Sequence, residues 1–397
     1  MIDGLRTAGG RAWFVGGCVR DSLLDPELDD AMLDIDIATD LLPPQTVAAV
    51  AGAGLKAIPT GIAHGTVTVV ALGRRFEVTT LRQDVATDGR HARVAFGTTI
   101  EADAARRDFT INALYALPDG AVLDPLGGLP DLAARTVRFI GDPDRRILED
   151  HLRILRFFRF YARFGQGSPD RDGFAACVRH RDRLRNLSAE RISAELFKLL
   201  AAPRAVLSLL AMQSGQILEV LDLGPADPAR LEELLELRLP VDPVLHLAAL
   251  LRQDEPKPGA GERVAARLKL SAAERGRLEA LLGQPFPPID EAPSARHRRW
   301  YREGIHAWRD RFILAAARGH LAGDEVRARL AEAAHWTRPD FPLRGGDVLA
   351  QGVSPGPDVR RRLRMVEEWW LEQDMAPDRA ACLNRLQTLP PPLTNHP

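Results

Sequence analysis

Strand signals stop about a third of the way along this chain, and that one-sided distribution limits its architecture more than any other feature. Ala12–Val15 is a short apolar run ending in Gly16-Gly17. Asp34–Ala38 alternates acidic and apolar residues, the period of a strand with one buried face. Thr66–Leu72 and Arg75–Leu81 are rich in β-branched residues and flank Gly73-Arg74, which predicts a hairpin. Helical stretches such as Pro44–Ala51 lie between them. Beyond about residue 140 such runs vanish. Arg146–Phe164 contains neither Gly nor Pro and predicts one long helix. Ala189–Leu200 follows Ser188 and carries Glu190, which predicts a capped helix start. The remainder is rich in Leu, Ala and Arg and is broken near Pro225–Pro228, Pro256–Pro258, Pro285–Pro293 and Pro339–Pro342. The proline-rich end, Leu389–Pro397, predicts a frayed tail. The chain therefore reads as α+β. A head over residues 1–140 holds a small mixed sheet with helices. An all-α neck over 141–224 and an all-α body and tail over 225–397 follow it.

Charge narrows the partners. The chain has 397 residues, with 53 basic and 54 acidic, a formal net charge of −1. That excludes a uniformly basic coat for nucleic acid but leaves room for a local patch. Residues 151–200 hold 11 basic and five acidic residues, enough to follow an RNA backbone or to supply buried arginines. No apolar run approaches the ~20 residues that span a bilayer, so no membrane partner is expected. The N-terminal MIDGLRTAGGRAWFVGG lacks an apolar core, so no signal peptide is expected. Three cysteines (Cys18, Cys177, Cys382) are an odd number without ligand-like spacing, which fits a reducing, cytoplasmic setting.

Asp34 and Asp36 stand two apart, and on a strand such residues share a face. Two carboxylates side by side repel unless a cation lies between them. Mg²⁺ takes hard oxygen ligands and completes its shell with water and substrate phosphates. Alone the pair reads more readily as an acidic turn at a strand edge. Upstream stand Gly16, Gly17 and Arg20. Glycines after a strand let backbone N–H groups approach phosphate at a helix start, and Arg20 is placed to hold triphosphate oxygens. Glu77, in a predicted neighbouring strand, is either a third acidic group near a metal or a surface glutamate.

The string GGCVRDSLL…DIDIAT resembles the head of the polymerase-β nucleotidyltransferase superfamily, in its branch of class II tRNA nucleotidyltransferases and bacterial poly(A) polymerases. Three further strings agree in the same order: Arg106–Ala113 (RRDFTINA), Glu149–Arg153 (EDHLR) and Glu190–Glu195 (ERISAE). The resemblance covers roughly residues 10–200. It implies a polymerase-β-like head in which Asp34 and Asp36 hold two Mg²⁺ ions, one activating the RNA 3′-hydroxyl and one steadying the triphosphate. It implies that Arg107 and Asp108 contact the nucleotide's phosphates and sugar, with Asn112 ordering the segment. It implies a protein template for the base. Asp150 accepts from the exocyclic amine and Arg153 donates to ring acceptors, with Arg156 and Arg159 supporting them or reaching phosphate. Glu149 and Arg153 fall in the same string, while Glu190, Arg191 and Glu195 would hold the template helix. The polar segment Gln83–His91 looks like the family's flexible loop.

Such a template selects by chemistry. Cytosine and adenine both present an amino donor beside a ring-nitrogen acceptor. Uracil and guanine present a carbonyl there, and a carboxylate facing it leaves two acceptors opposed. The leading expectation is template-independent addition of C, C and A to a tRNA lacking part or all of its CCA end, from CTP and ATP. Poly(A) addition, a partial A-adding or CC-adding activity, and noncatalytic RNA binding are the alternatives. Arg296–Arg302 and Arg360–Arg362 are candidate phosphate contacts or solvated helix faces. Trp369-Trp370 reads as core packing.

Overall fold

The computed structural model describes residues 1–27, 29, 34–88 and 91–390. The last seven residues of the expected tail, 391–397, lie outside it. The chain forms two compact units. One is Met1–Pro228 with Ala266–Leu270, and the other is Ala229–Ala265 with Ser271–Pro397. The expected division at residue 140 thus falls inside the first unit.

Among the described residues the chain has nine strands, four of which overlap the runs expected from the sequence (12–15, 34–38, 66–72 and 75–81). They are β1 (Ala12–Val15), β2 (Asp36–Thr39), β3 (Lys56–Gly61), β4 (Thr66–Ala71), β5 (Arg74–Thr80), β6 (Arg82–Asp88), β7 (His91–Phe96), β8 (Tyr115–Ala116) and β9 (Val122–Leu123). Seven form a mixed sheet in the order β3-β4-β5-β2-β1-β8-β9. β2 and β5 run parallel, and the other neighbours run antiparallel. The β4–β5 turn is Leu72-Gly73, both at positive φ (51° and 75°), the primed geometry that matches strand twist. It sits one residue earlier than the sequence suggests. One sheet face packs Ile37, Val67, Val69 and Val78 with Leu5 and Val50 of flanking helices. Elsewhere Trp13, Val15, Ala38 and Tyr115 join Leu81 and Ala113.

Two expectations change. The segment expected as a flexible loop pairs as an antiparallel ribbon, β6 with β7; its Gly89 and Arg90 lie outside the described residues. The long helix expected over Arg146–Phe164 is two helices, Pro143–Glu149 and Arg153–Phe164. Asp150 breaks it. Its backbone is extended (φ −153°, ψ 108°), and its carboxylate accepts from the Leu152 N–H at 3.1 Å. A short acidic side chain that bonds nearby backbone favours a helix boundary over a helix interior.

In Arg153–Phe164 the four arginines form a stripe, and the other eight residues are all buried. Phe157 and Phe160 meet Phe109, and Phe139 stacks on Phe157 with centroids 5.5 Å apart. Burying such a side chain contributes about 1.5–3 kcal/mol each. The phenylalanines therefore fasten this helix to Phe109 and Phe139 of the head, which helps head and neck form one unit. Ser188 occupies the expected N-cap of Ala189–Leu200, but its hydroxyl makes no capping bond.

The second unit is helical. Its arginine runs are largely spent internally. Arg296 is buried on Glu332, Arg299 pairs with Glu291, Arg302 with Glu368, and Arg361 and Arg362 with Asp358. Trp370 is buried and donates to the Pro377 carbonyl at 3.0 Å. Among the described residues no helix is long and apolar enough to cross a membrane.

Candidate nucleotidyl-transfer site

The sheet delivers its acidic residues through one parallel register. Asp36 opens β2 directly opposite Glu77 of β5. Asp34 precedes the strand rather than lying in it. Burial pushes the Asp36 carboxyl up to about 6, the neighbouring Asp34 and Glu77 carboxylates push it the same way, and Arg107 opposes them. This crowding of negative charge is what a divalent cation would relieve. Glu77 is exposed and does not line the cavity described below. Among the described residues no three Asp, Glu, His or Cys side chains are arranged to hold a metal ion by themselves. Asp34 and Asp36 offer hard oxygen ligands that suit a divalent cation.

Gly16 and Gly17 join β1 to the helix Gly17–Leu24. Gly16 has φ 74° and ψ −121°, and a Cβ there would lie 3.3 Å from Arg107 Nη1. Only glycine adopts this backbone without strain. Arg20 is buried, pairs with Asp21 at 2.8 Å, donates to Asn112 Oδ1 and lies 4.1 Å over the Phe164 ring.

Asp108 is 7% exposed and accepts from the Phe109 N–H, from Asn112 Nδ2 (both 2.9 Å) and from Arg156 Nε at 2.7 Å. Burial alone would raise its carboxyl, but the Arg156 charge and these donors hold it below the usual range. A ribose hydroxyl would have to join or displace a guanidinium already bound there.

The residues expected to read the base are likewise held. Asp150 accepts from Arg191 at 2.8 Å. Arg153 donates to Glu149 at 2.6 Å, to the Arg146 carbonyl at 2.9 Å and to the Arg106 carbonyl at 3.2 Å. Arg159 donates to buried Glu195 at 2.5 Å, and Arg156 lies 3.8 Å from the same carboxylate. Glu190 stands apart, exposed and paired with Lys269 at 2.8 Å rather than with the template helix.

These side chains surround one cavity of about 570 Å³. Gly16, Gly17, Arg20, Asp34, Asp36, Arg107, Asp108, Asn112, Asp150, Arg153, Arg156, Arg159 and Arg191 all line it. Glu77, Glu149, Glu190 and Glu195 do not. Sequence reasoning missed Arg106, Leu152 and Phe160 as lining residues. It also missed Asp103, which is buried beneath Arg106 and Arg107. Asp103 precedes them by three and four residues, the spacing of helical ion pairs, so a signal for it was present. Seven arginines against four aspartates suit a polyanionic nucleotide.

A family model described as "Poly A polymerase head domain" matches residues 12–138. A second, described as "Probable RNA and SrmB- binding site of polymerase A", matches residues 168–222. The chain is 34% identical over 373 residues to the CCA tRNA nucleotidyltransferase 1, mitochondrial, of Mus musculus, covering 89% of this chain and 81% of that protein. The chain belongs to the CCA tRNA nucleotidyltransferase family. It is also 30% identical over 401 residues to the CCA-adding enzyme of Limosilactobacillus fermentum, covering 95% and 93% of the two chains. The solved Bacillus stearothermophilus CCA-adding enzyme in complex with CTP superposes with a TM-score of 0.73 at 26% identity, over 97% of this chain and 95% of that one. The family likeness therefore spans the helical second unit as well as the head.

Proposed function

We infer that this chain adds C, C and A to the 3′ end of tRNA, using CTP and ATP and a divalent metal ion, Mg²⁺. The observation that carries the reading is the single cavity joining Asp34 and Asp36, the glycine turn and the Asp150–Arg153 segment. The tRNA 3′-hydroxyl oxygen attacks the α-phosphorus and gives up its proton to solvent, and the bond to the bridging oxygen breaks as pyrophosphate leaves with that oxygen. Asp34 and Asp36 would hold the metal, which stabilises charge on the attacking and departing oxygens. The Gly16-Gly17 turn, Arg20 and Arg107 bind the triphosphate. Asp150 accepts from the amino group of cytosine or adenine and Arg153 donates to the ring. Arg191 and Glu149 keep the two in place until a base arrives. Arg156 and Arg159, held by Asp108 and Glu195, keep the cavity wall positive. The cytoplasm is the setting we propose; the three free cysteines are all buried and suit a reducing compartment.

A tRNA transcript lacking CCA, incubated with CTP alone, ATP alone and both, tests this at single-nucleotide resolution. The expected products are two C's with CTP alone and a stop at CCA with both. Asp34→Asn or Asp36→Asn should abolish them. A long A tail on unstructured RNA with ATP alone would make the activity poly(A) addition instead.

A further inference from the structure

Arg107 reaches the cavity from a buried platform that the matched motifs do not include. Asp103 is 1% exposed and Tyr115 is fully buried. The two Asp103 oxygens are divided between neighbouring arginines. Oδ1 accepts from Arg106 Nε at 2.9 Å and Nη2 at 2.7 Å. Oδ2 accepts from Arg107 Nε at 3.3 Å and Nη2 at 3.1 Å. The Tyr115 hydroxyl donates to the same Oδ2 at 2.6 Å and accepts from Arg107 Nε at 3.3 Å. One edge of the Arg107 guanidinium is thus fully engaged. Its remaining nitrogen, Nη1, lies against the Gly16 turn, and Arg107, Gly16 and Asp36 line the same cavity.

We propose that Asp103 and Tyr115 are positioning residues that hold Arg107 Nη1 toward the triphosphate between the glycine turn and Asp36. This rests on the nucleotidyl-transfer reading above. The physical reason is pre-organisation. A free arginine loses rotamer freedom when it grips a phosphate, whereas one already held on its far edge has lost it during folding. Among the described residues the platform meets the base-reading side through backbone carbonyls, that of Arg106 accepting from Arg153 and Arg146 and that of Ala105 from Arg146. It therefore acts on both nucleotides alike rather than on the choice between bases.

Tyr115→Phe removes only the hydroxyl and keeps the ring; Asp103→Asn keeps the shape and removes the charge. Kd for CTP and for ATP with Mg²⁺ is measured in each variant by equilibrium titration, alongside the thermal midpoint. Losing a hydrogen bond to a charged group predicts a rise of about tenfold in both Kd values for Tyr115→Phe. Discrimination against UTP and KM for tRNA should not move. On an Arg107→Met background the same substitution should change Kd by less than about twofold, because the cation it positions is gone. Equal factors on both backgrounds, or an unchanged Kd in Tyr115→Phe, would overturn the proposal. If Asp103→Asn fails to fold, Tyr115→Phe decides. An unmodified chain that binds both nucleotides yet extends no tRNA would refute the function, while the Kd comparison would still decide the role of the platform.

Discussion

Two glutamates on one helix, five residues apart, should differ sharply when neutralised. Glu195 has a side chain 7% exposed and holds Arg159, whose own side chain is 13% exposed, at 2.5 Å. Arg156 lies 3.8 Å from its other oxygen. Glu195→Gln leaves Arg159 largely desolvated with only a neutral partner. Breaking a buried pair by removing one member costs about 3–5 kcal/mol. Arg159 keeps some solvent and sits 4.1 Å over the Phe160 ring, so the lower end applies, about 3 kcal/mol or a hundredfold in the folding equilibrium. Glu190 pairs with Lys269 across side chains 60% and 62% exposed. Such a pair is worth less than about 1 kcal/mol, so Glu190→Gln should be nearly silent. Urea unfolding followed by circular dichroism would give the energies. Hydrogen exchange in peptides covering 153–164 and 189–200 would localise them to the first unit. Tryptophan emission is a poor probe here, since only Trp13 of the six tryptophans lies in that unit. Equal losses for the two variants would refute the reading of Glu195 as the anchor of the helix Arg153–Phe164.

Gly16→Ala should lower stability by about 1–3 kcal/mol through its φ of 74°. It should also weaken CTP and ATP binding, because the new methyl lies 3.3 Å from Arg107 Nη1; unchanged affinity by titration would show that the turn has room to spare. Acid should act through Asp103 and Asp108, whose carboxyls are both held below the usual range. For each, burial opposes the shift, and the Arg107 and Arg106 charges (Asp103) or the Arg156 charge (Asp108) outweigh it. A depressed folded pKa means the unfolded state binds protons first as pH falls. The stability they contribute is complete above the ordinary carboxylate range of about 4 and is lost progressively below it. Stability measured against pH should therefore fall below pH ~4 in the unmodified chain and fall less steeply in Asp108→Asn; parallel curves would contradict this.

Much of the site was legible in the residues alone. A glycine pair after an apolar run and two aspartates at strand spacing carry local chemistry that needs no fold to be recognised. The arginine stripe of 153–164 was visible for the same reason, since helical periodicity dictates which side chains share a face. Other features depend on partners distant in sequence, which no local pattern specifies. Nothing near Glu190 and Glu195 says that one meets Lys269 and the other Arg159. Nothing in the arginine runs of the second unit says that Glu291 and Glu332 neutralise Arg299 and Arg296, whereas Asp358 stands at helical spacing from Arg361 and Arg362.

The sequence by itself determined the α+β order of elements, the turn that needs glycine, and the chemical types gathered for a nucleotide. Tertiary structure decided which of those charges stay available. Asp108 is held by Arg156 and Asp150 by Arg191, contacts that join residues 48 and 41 positions apart. The helix break at Asp150 was decided there too, because a run without Gly or Pro permits one helix or two. The physical reason is that propensity and periodicity act over a few residues, whereas a buried charge takes whichever opposite charge the folded chain brings within reach.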